Sequence, residues 1–194
     1  MKEYRILFMG TAQFAVPSLI KLLALNQNIV NVYSSPPKKA NRGMEVTNSP
    51  VINFAQSKGL NYSHPDNLKD ELEVKKIKEL ELDIIIVIAY GLIIPREILT
   101  IPKKGCFNLH GSLLPRWRGA APIQRAIIEG DKKTGITFMK MKEKLDTGDI
   151  VLSKEINIST NDNYQSLENQ LADLGAESFE EFLELIEKKS DFIN

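Results

Sequence analysis

The sequence DIIIVIA, residues 83–89, decides the fold. It contains an unbroken run of β-branched residues from Ile84 to Ile88. Such residues favour strands, and a continuous apolar run is typical of a parallel strand that helices cover on both faces. We therefore expect Asp83–Ala89 to be a buried central strand of a mostly parallel sheet.

Strand and helix patterns alternate on both sides of this segment. Short apolar runs predict strands at Tyr4–Met9, Ile29–Tyr33, Cys106–Leu109, Ile136–Met141 and Ile150–Ile158. Helical spacing of apolar residues predicts helices at Gln13–Leu25, Val51–Lys58, Pro122–Glu129 and Tyr164–Lys188. Ser49 is expected to cap the second helix, with Pro50 at its first position. This order indicates an α/β fold: an open, mostly parallel twisted sheet of Rossmann-like type with helices on both faces.

One long segment, Ser34–Pro50, shows neither pattern. It is rich in Ser, Pro, Lys and Asn, which predicts a long mobile loop. The loop contains the basic residues Lys38, Lys39 and Arg42 and a single acid, Glu45.

Length and composition indicate one soluble domain, or one domain with a tail. The chain has 194 residues, of which 43% are hydrophobic and 26% charged, as in ordinary globular proteins. Its one cysteine excludes an internal disulfide and favours a cytoplasmic location. The apolar run Ile6–Met9 is too short for a signal segment or a membrane span. We therefore expect a cytoplasmic protein that does not contact membranes, and a monomer.

Charge is unevenly distributed along the chain. Residues 103–142 contain nine basic and two acidic residues, whereas residues 155–194 contain ten acidic and two basic ones. A basic region suggests an anionic substrate such as nucleic acid or phosphate. The alternative is a solvated surface of mixed charge.

The segment FNLHGSLLPRWRGAAPIQR, residues 107–125, carries the candidate chemistry. Asn108 and His110 have the i, i+2 spacing that places two side chains on one face of a strand. Asp146 follows in the turn LDTGD, residues 145–149. An amide, an imidazole and a carboxylate around one carbonyl group suit acyl or formyl transfer. The alternative is a hydrogen-bond network without chemistry.

Several other functions are disfavoured by the sequence. Gly10 stands alone where a dinucleotide-binding fingerprint needs several glycines, and no phosphate-binding P-loop is present. Two histidines and one cysteine make a metal site unexpected. Cys106 is interpreted as a buried strand residue. Trp117 is expected either to stack on a base or pterin or to pin its own loop.

The sequence resembles the formyltetrahydrofolate-dependent formyltransferases over nearly its whole length. Within the similar stretch His110–Gln124, the run Ser112–Pro115 is common to that family, whereas Arg116–Gln124 is far more particular to members that formylate methionyl-initiator tRNA. Further similar stretches are Met9–Thr11, Val87–Leu92 and Leu145–Asp149.

The resemblance implies 10-formyltetrahydrofolate as co-substrate, methionyl-initiator tRNA as partner, and no metal. It implies that Asn108, His110 and Asp146 are catalytic. The implied folate contacts, mostly through backbone, are Ile88, Ala89, Tyr90, Gly91, Leu92, Ser112, Leu113, Leu114, Pro115 and Leu145. The implied tRNA contacts are Gly10, Thr11, Lys38, Lys39, Arg42, Arg116 and Arg118.

Members that formylate tRNA normally continue into a barrel domain. We therefore expect residues 1–194 to form the catalytic domain, without a C-terminal barrel and with impaired tRNA use. The alternatives are a glycinamide ribonucleotide or sugar-nucleotide formyltransferase, and a non-catalytic remnant that binds folate or RNA.

Overall fold

A seven-stranded sheet forms the centre of the protein in the computed structural model, which describes residues 1–40 and 45–188. Its strands are β1 (Arg5–Gly10), β2 (Asn28–Tyr33), β5 (Tyr62–Ser63), β6 (Ile84–Ile88), β7 (Gly105–His110), β8 (Lys133–Lys140) and β9 (Ile150–Asn157). Their order across the sheet is β5-β2-β1-β6-β7-β8-β9. The first five in this order are parallel, and β8 and β9 are antiparallel to their neighbours. The predicted mostly parallel sheet is confirmed.

Helices cover both faces of this sheet, as predicted. They are α1 (Val16–Ala24), α2 (Pro50–Ser57), α3 (Glu71–Glu79), α4 (Arg96–Leu99), α5 (Pro122–Ile128), α6 (Tyr164–Glu177) and α7 (Phe179–Lys188). One core joins α1, α2, α5, α6 and α7 to one face of the sheet. A second core joins α3 and α4 to the opposite face. All five side chains of β6 are buried, which explains its continuous apolar sequence.

The beginning of α2 follows the predicted capping pattern. The Ser49 hydroxyl accepts a hydrogen bond from the Ile52 amide at 3.2 Å, and Pro50 is the first helical residue. The pattern works because proline has no N–H to leave unpaired in the first turn.

The structure corrects three of the predicted elements. The segment Ser34–Pro50, predicted to be a loop, contains a two-stranded antiparallel ribbon of β3 (Lys38–Ala40) and β4 (Glu45–Thr47). The predicted helix Gln13–Leu25 begins with a 3-10 turn, Gln13–Ala15, before α1. The predicted helix Tyr164–Lys188 is divided at Ser178, whose hydroxyl donates to the Leu174 carbonyl at 2.7 Å.

Three elements have no counterpart in the predictions. The strand β5 has only two residues and the helix α4 only four, too few for either periodicity to register. Helix α3 buries only Glu73 and Ile77 fully, so its apolar stripe is weak. None of the helices in the described part of the chain is long and apolar enough to cross a bilayer.

Candidate functional site

Strand β7 places Asn108 and His110 on the same face of the sheet. Phe107 and Leu109 pack into the core on the other face, so alternation directs the two polar side chains away from it. His110 is 7% exposed, and Asn108 is half-buried. Within residues 1–40 and 45–188, no hydrogen bond engages the side-chain amide of Asn108. It is therefore available to a ligand.

The turn between β8 and β9 brings Asp146 to His110. The Met141 amide donates to the Cys106 carbonyl at 2.8 Å, and the turn then reaches back along β7. Asp146 Oδ2 lies 3.8 Å from His110 Nδ1, and the side chain of each is less than a tenth exposed. Asp146 has a φ of 49°, a left-handed conformation that Asp tolerates better than most residues.

The second nitrogen of His110 contacts the loop that follows β7. His110 Nε2 lies 2.9 Å from the Trp117 carbonyl oxygen. Because a carbonyl only accepts, Nε2 must carry the hydrogen. The same loop donates from the Gly119 amide to Asp146 Oδ2 at 2.7 Å. The imidazole is thus held by a carbonyl on one side and faces a carboxylate on the other, an arrangement suited to stabilising charge or moving a proton.

Asp131 anchors that loop from outside the site. Its carboxylate accepts two hydrogen bonds from the Arg116 guanidinium, at 2.8 and 2.7 Å, and one from the Trp117 indole at 2.8 Å. The Arg116 guanidinium also lies 4.2 Å from the centre of the Trp117 ring. Hydrogen bonds from Arg116 hold the pKa of Asp131 below its usual value. Of the two interpretations of Trp117, these contacts favour the one in which it pins its own loop.

The loop after β6 presents mainly backbone to the site. Ile88 and Tyr90 are buried, and the Tyr90 carbonyl accepts from the Thr11 hydroxyl at 2.7 Å and from Ser35 at 2.9 Å. Ala89 and Gly91 are exposed and have φ values of 45° and 91°. The side chains of Ile88 and Tyr90 therefore support the loop, and of the predicted folate contacts here Ala89, Gly91 and the half-buried Leu92 are the accessible ones.

An ion pair joins this loop to the Asp146 turn. Arg96 Nε lies 3.3 Å from Glu143 Oε1. The pair connects α4 with the turn, and both of its side chains are exposed. Two large apolar residues lie close to it along the chain, Ile93 before Arg96 and Leu145 after Glu143. Ile93 is 84% exposed and Leu145 68% exposed. Sequence spacing gave no signal for this pairing, because its two residues belong to separate elements.

The run from Ser112 to Pro115 is only partly open to ligands. Ser112 is fully buried, and its hydroxyl donates to the Arg116 carbonyl at 2.6 Å. Leu113 and Leu114 are half-buried, and Pro115 is exposed. The serine thus shapes the loop, and the three following residues remain accessible.

A cavity of about 280 Å³ opens beside the carboxyl ends of β1 and β2. Its lining includes Thr11, Ser35, Asn48 and Ser49. Another cavity, of about 160 Å³, lies between α1 and α6 and has none of the candidate catalytic residues in its lining. Gly10 is required at the end of β1, because a Cβ there would lie 2.9 Å from Ala15.

The predicted tRNA contacts differ in how freely they can bind. The Arg116 guanidinium is committed to Asp131, whereas Arg118 is exposed. Lys38 and Lys39 belong to β3, and Arg42 lies outside the described residues. The geometry therefore favours Arg118 over Arg116 as a phosphate contact.

Comparison with known proteins gives consistent results. A family model described as formyl transferase matches residues 4–183. The chain is 51% identical to the methionyl-tRNA formyltransferase of Bartonella quintana over 185 residues, which cover 95% of this chain and 60% of that protein. It is 48% identical to the protein of the same name from Ehrlichia ruminantium, covering 94% of this chain and 61% of that one. The chain thus spans about three fifths of the length of these relatives.

Solved structures with the same fold are more distant in sequence. The phosphoribosylglycinamide formyltransferase of Bacillus halodurans superposes with a TM-score of 0.78 at 17% identity, covering 96% of both chains. A likely sugar N-formyltransferase from Mycobacterium tuberculosis gives 0.70 at 23% identity, covering 96% of this chain and 69% of that one. At these identities the likeness shows the shared fold.

Proposed function

Because this chain belongs to the formyl transferase family, we propose that it transfers a formyl group from 10-formyltetrahydrofolate to the α-amine of methionyl-initiator tRNA. The arrangement of Asn108, His110 and Asp146 is the observation that carries the proposal. The two relatives of about 50% identity, both named methionyl-tRNA formyltransferase, support this choice of acceptor.

The proposed chemistry uses each of the three side chains. The amine attacks the formyl carbon, a C–N bond forms, and negative charge develops on the formyl oxygen. The Asn108 amide and a protonated His110 Nδ1 donate to that oxygen. Asp146, 3.8 Å from Nδ1, stabilises the imidazolium while the amine attacks and then takes the proton that the amine loses. The bond between the formyl carbon and N10 of the folate then breaks, and N10 takes up that proton from Asp146, which becomes a carboxylate again.

We assign the heterocycle of the folate to the surface formed by the loop after β6 and the turn that contains Asp146. Ile93 and Leu145 supply exposed apolar surface, and the backbone at Ala89 and Gly91 supplies polar groups. Large exposed apolar side chains next to convergent polar groups are typical of ligand sites. The folate would bring the one-carbon unit, and the protein would supply position and electrostatics.

Phosphate contacts are proposed on the other side of the site. Arg118, Lys38, Lys39 and Arg42 are the basic residues assigned to this role, with Gly10 and Thr11 beside the cavity at the end of β1. We further propose that residues 1–194 act as a catalytic domain, monomeric and cytoplasmic.

A formyl-transfer assay with parallel acceptors tests this function. The chain is supplied with 10-formyltetrahydrofolate and either methionyl-initiator tRNA or glycinamide ribonucleotide, with Asn108→Ala as the inactive control. We expect transfer to the tRNA, weakening as salt rises, and little to the ribonucleotide. Faster transfer to the ribonucleotide would assign the chain to the other acceptor class. Folate binding without transfer to either acceptor would indicate a remnant.

A further inference from the structure

The backbone of residues 116–121 adopts conformations that are unfavourable without support from other residues. Trp117 and Ala121 have φ values of 61° and 58°, in the left-handed region that non-glycine residues rarely adopt. Such conformations persist when surrounding contacts enforce them. The loop nevertheless touches both His110 and Asp146, so whatever enforces its shape also sets the geometry of the site.

The loop is bonded by Ser112 at the Arg116 carbonyl and to Asp146 through the Gly119 amide, and three further hydrogen bonds converge on Asp131, which follows α5. Its Oδ1 accepts from Arg116, and its Oδ2 accepts from both Arg116 and the Trp117 indole. The Asp131 side chain is only 15% exposed, so solvent competes weakly for its oxygens. These bonds fix the residue whose carbonyl meets His110 Nε2.

We propose that Asp131 is a positioning residue that determines which nitrogen of His110 carries the hydrogen. By holding the Trp117 carbonyl against Nε2, it keeps the neutral imidazole in its Nε2–H form. Nδ1 is then the nitrogen that takes up the additional proton when the imidazolium of the proposed reaction forms beside Asp146. Without this restraint the two tautomers would compete, and the form with the hydrogen on Nδ1 would point it at the Asp146 carboxylate.

Asp131 is not itself catalytic, because its carboxylate is occupied by Arg116 and Trp117. Its effect passes through the loop backbone. The catalytic part of the inference rests on the proposed function, but the tautomer of His110 does not, since it is measured without any substrate.

Nitrogen NMR on the 194-residue chain with labelled histidine tests the inference directly. The chain has two histidines, so a His64→Gln variant assigns the signals of His110. At a pH near 8.5 an imidazole is ordinarily neutral, and its ring couplings report the tautomer. We expect the Nε2–H form in the unaltered chain and a mixture in Asp131→Ala. The matched control is Glu155→Gln, which removes an exposed ion pair with Lys133 and should leave the tautomer unchanged.

Kinetics supply a second measurement. Asp131→Ala should lower kcat for formyl transfer by about 10- to 100-fold and leave the KM for the formyl donor within about twofold. A loss of turnover carried by KM alone would contradict positioning. Should Asp131→Ala fail to fold, Trp117→Phe removes the indole hydrogen bond to Asp131 while keeping an aromatic ring beside Arg116, and it is expected to shift the tautomer in the same direction.

The outcomes separate the two proposals. A single Nε2–H tautomer retained in both Asp131→Ala and Trp117→Phe would overturn the role of Asp131. An Nδ1–H tautomer in the unaltered chain would overturn it as well. A chain inactive towards every acceptor, whose tautomer still responds to Asp131, would refute the proposed reaction and support the positioning role.

Discussion

At the residue scale, Asp146 combines a left-handed backbone with a buried carboxylate. Its φ of 49° restricts which substitutions test the charge without disturbing the turn. Asparagine adopts this conformation nearly as readily as aspartate, whereas alanine is strained there. The two variants therefore separate the chemistry of the side chain from the stability of the turn.

We predict that Asp146→Asn lowers formyl transfer by about 10²-fold or more, because the imidazolium loses its counter-charge. Its midpoint of thermal unfolding should stay close to that of the unaltered chain. Asp146→Ala should lose the same activity and about 1 kcal/mol of stability besides. Single-turnover transfer and thermal unfolding provide the measurements. Near-normal turnover in Asp146→Asn would remove the carboxylate from the mechanism.

Cys106 is buried in β7, as predicted, and its reactivity should report on the opening of that strand. It is 1% exposed, and burial raises the pKa of its thiol, so little thiolate forms even in mild base. We predict no measurable alkylation by iodoacetamide at pH 8 over the first hour in the folded chain. Complete labelling should follow in guanidinium. Because this is the only cysteine, mass spectrometry gives the result directly, and rapid labelling of the folded chain would contradict the buried position.

At the scale of elements, the β8–β9 turn depends on Gly148. A Cβ at this position would overlap the Lys140 carbonyl oxygen, a backbone atom that cannot move without displacing the strand. We predict that Gly148→Ala shifts the turn and lowers formyl transfer by at least about tenfold. Gly111→Ala is the matched control, since its Cβ would meet Ile123 at an ordinary 3.5 Å. Equal turnover in both variants would show that the turn is not tightly held.

Helix α7 is fastened to the sheet by aromatic rings. Phe182 packs with ring centres 4.6 Å from Phe138 and 5.3 Å from Phe107. We predict that Phe182→Ala costs about 3–5 kcal/mol in the free energy of unfolding, measured by urea denaturation. Leu72→Ala, at a side chain that is 68% exposed, should cost less than about 0.5 kcal/mol. Similar losses in both would mean that α7 adds little to the core.

Sequence patterns identified the elements in which buried apolar residues recur with a regular spacing. The apolar run of β6 and the cap at Ser49 are local signals, and both were confirmed. The break at Ser178 was not predictable, because apolar residues continue with helical spacing from α6 into α7. The i, i+2 spacing of Asn108 and His110 indicated that they share a face of the strand. The hydrogen bonds from Arg116 and Trp117 to Asp131 had no signal in the sequence, because they form only when the loop folds against the end of α5.

At the scale of the whole molecule, the proposed function assigns acceptor and donor to separate parts of the chain. The basic residues of the β3–β4 ribbon are proposed for the acceptor, and the exposed side chains of Ile93 and Leu145 for the formyl donor. Ile93 follows β6, and Leu145 lies between β8 and β9. Binding of acceptor and donor should therefore respond independently to substitution.

We predict that replacing Lys38, Lys39 and Arg42 with glutamine raises the KM for methionyl-initiator tRNA and flattens its salt dependence. Each lost phosphate contact should reduce the slope by about one. Affinity for the formyl donor should be unchanged. The same number of replacements at Lys69, Lys75 and Lys78, on and before α3, serves as the control. Equal losses for donor and acceptor would mean that the ribbon supports the fold.

The ribbon forms a sheet of its own and pairs with no strand of the central seven among the described residues. Insertions or deletions within the ribbon therefore do not shift the pairing register of the central sheet. The residues proposed for the chemistry, in contrast, are encoded in one contiguous stretch from Asn108 to Asp146. The ribbon proposed to bind the acceptor can therefore change during evolution while the segment with the proposed catalytic residues stays the same.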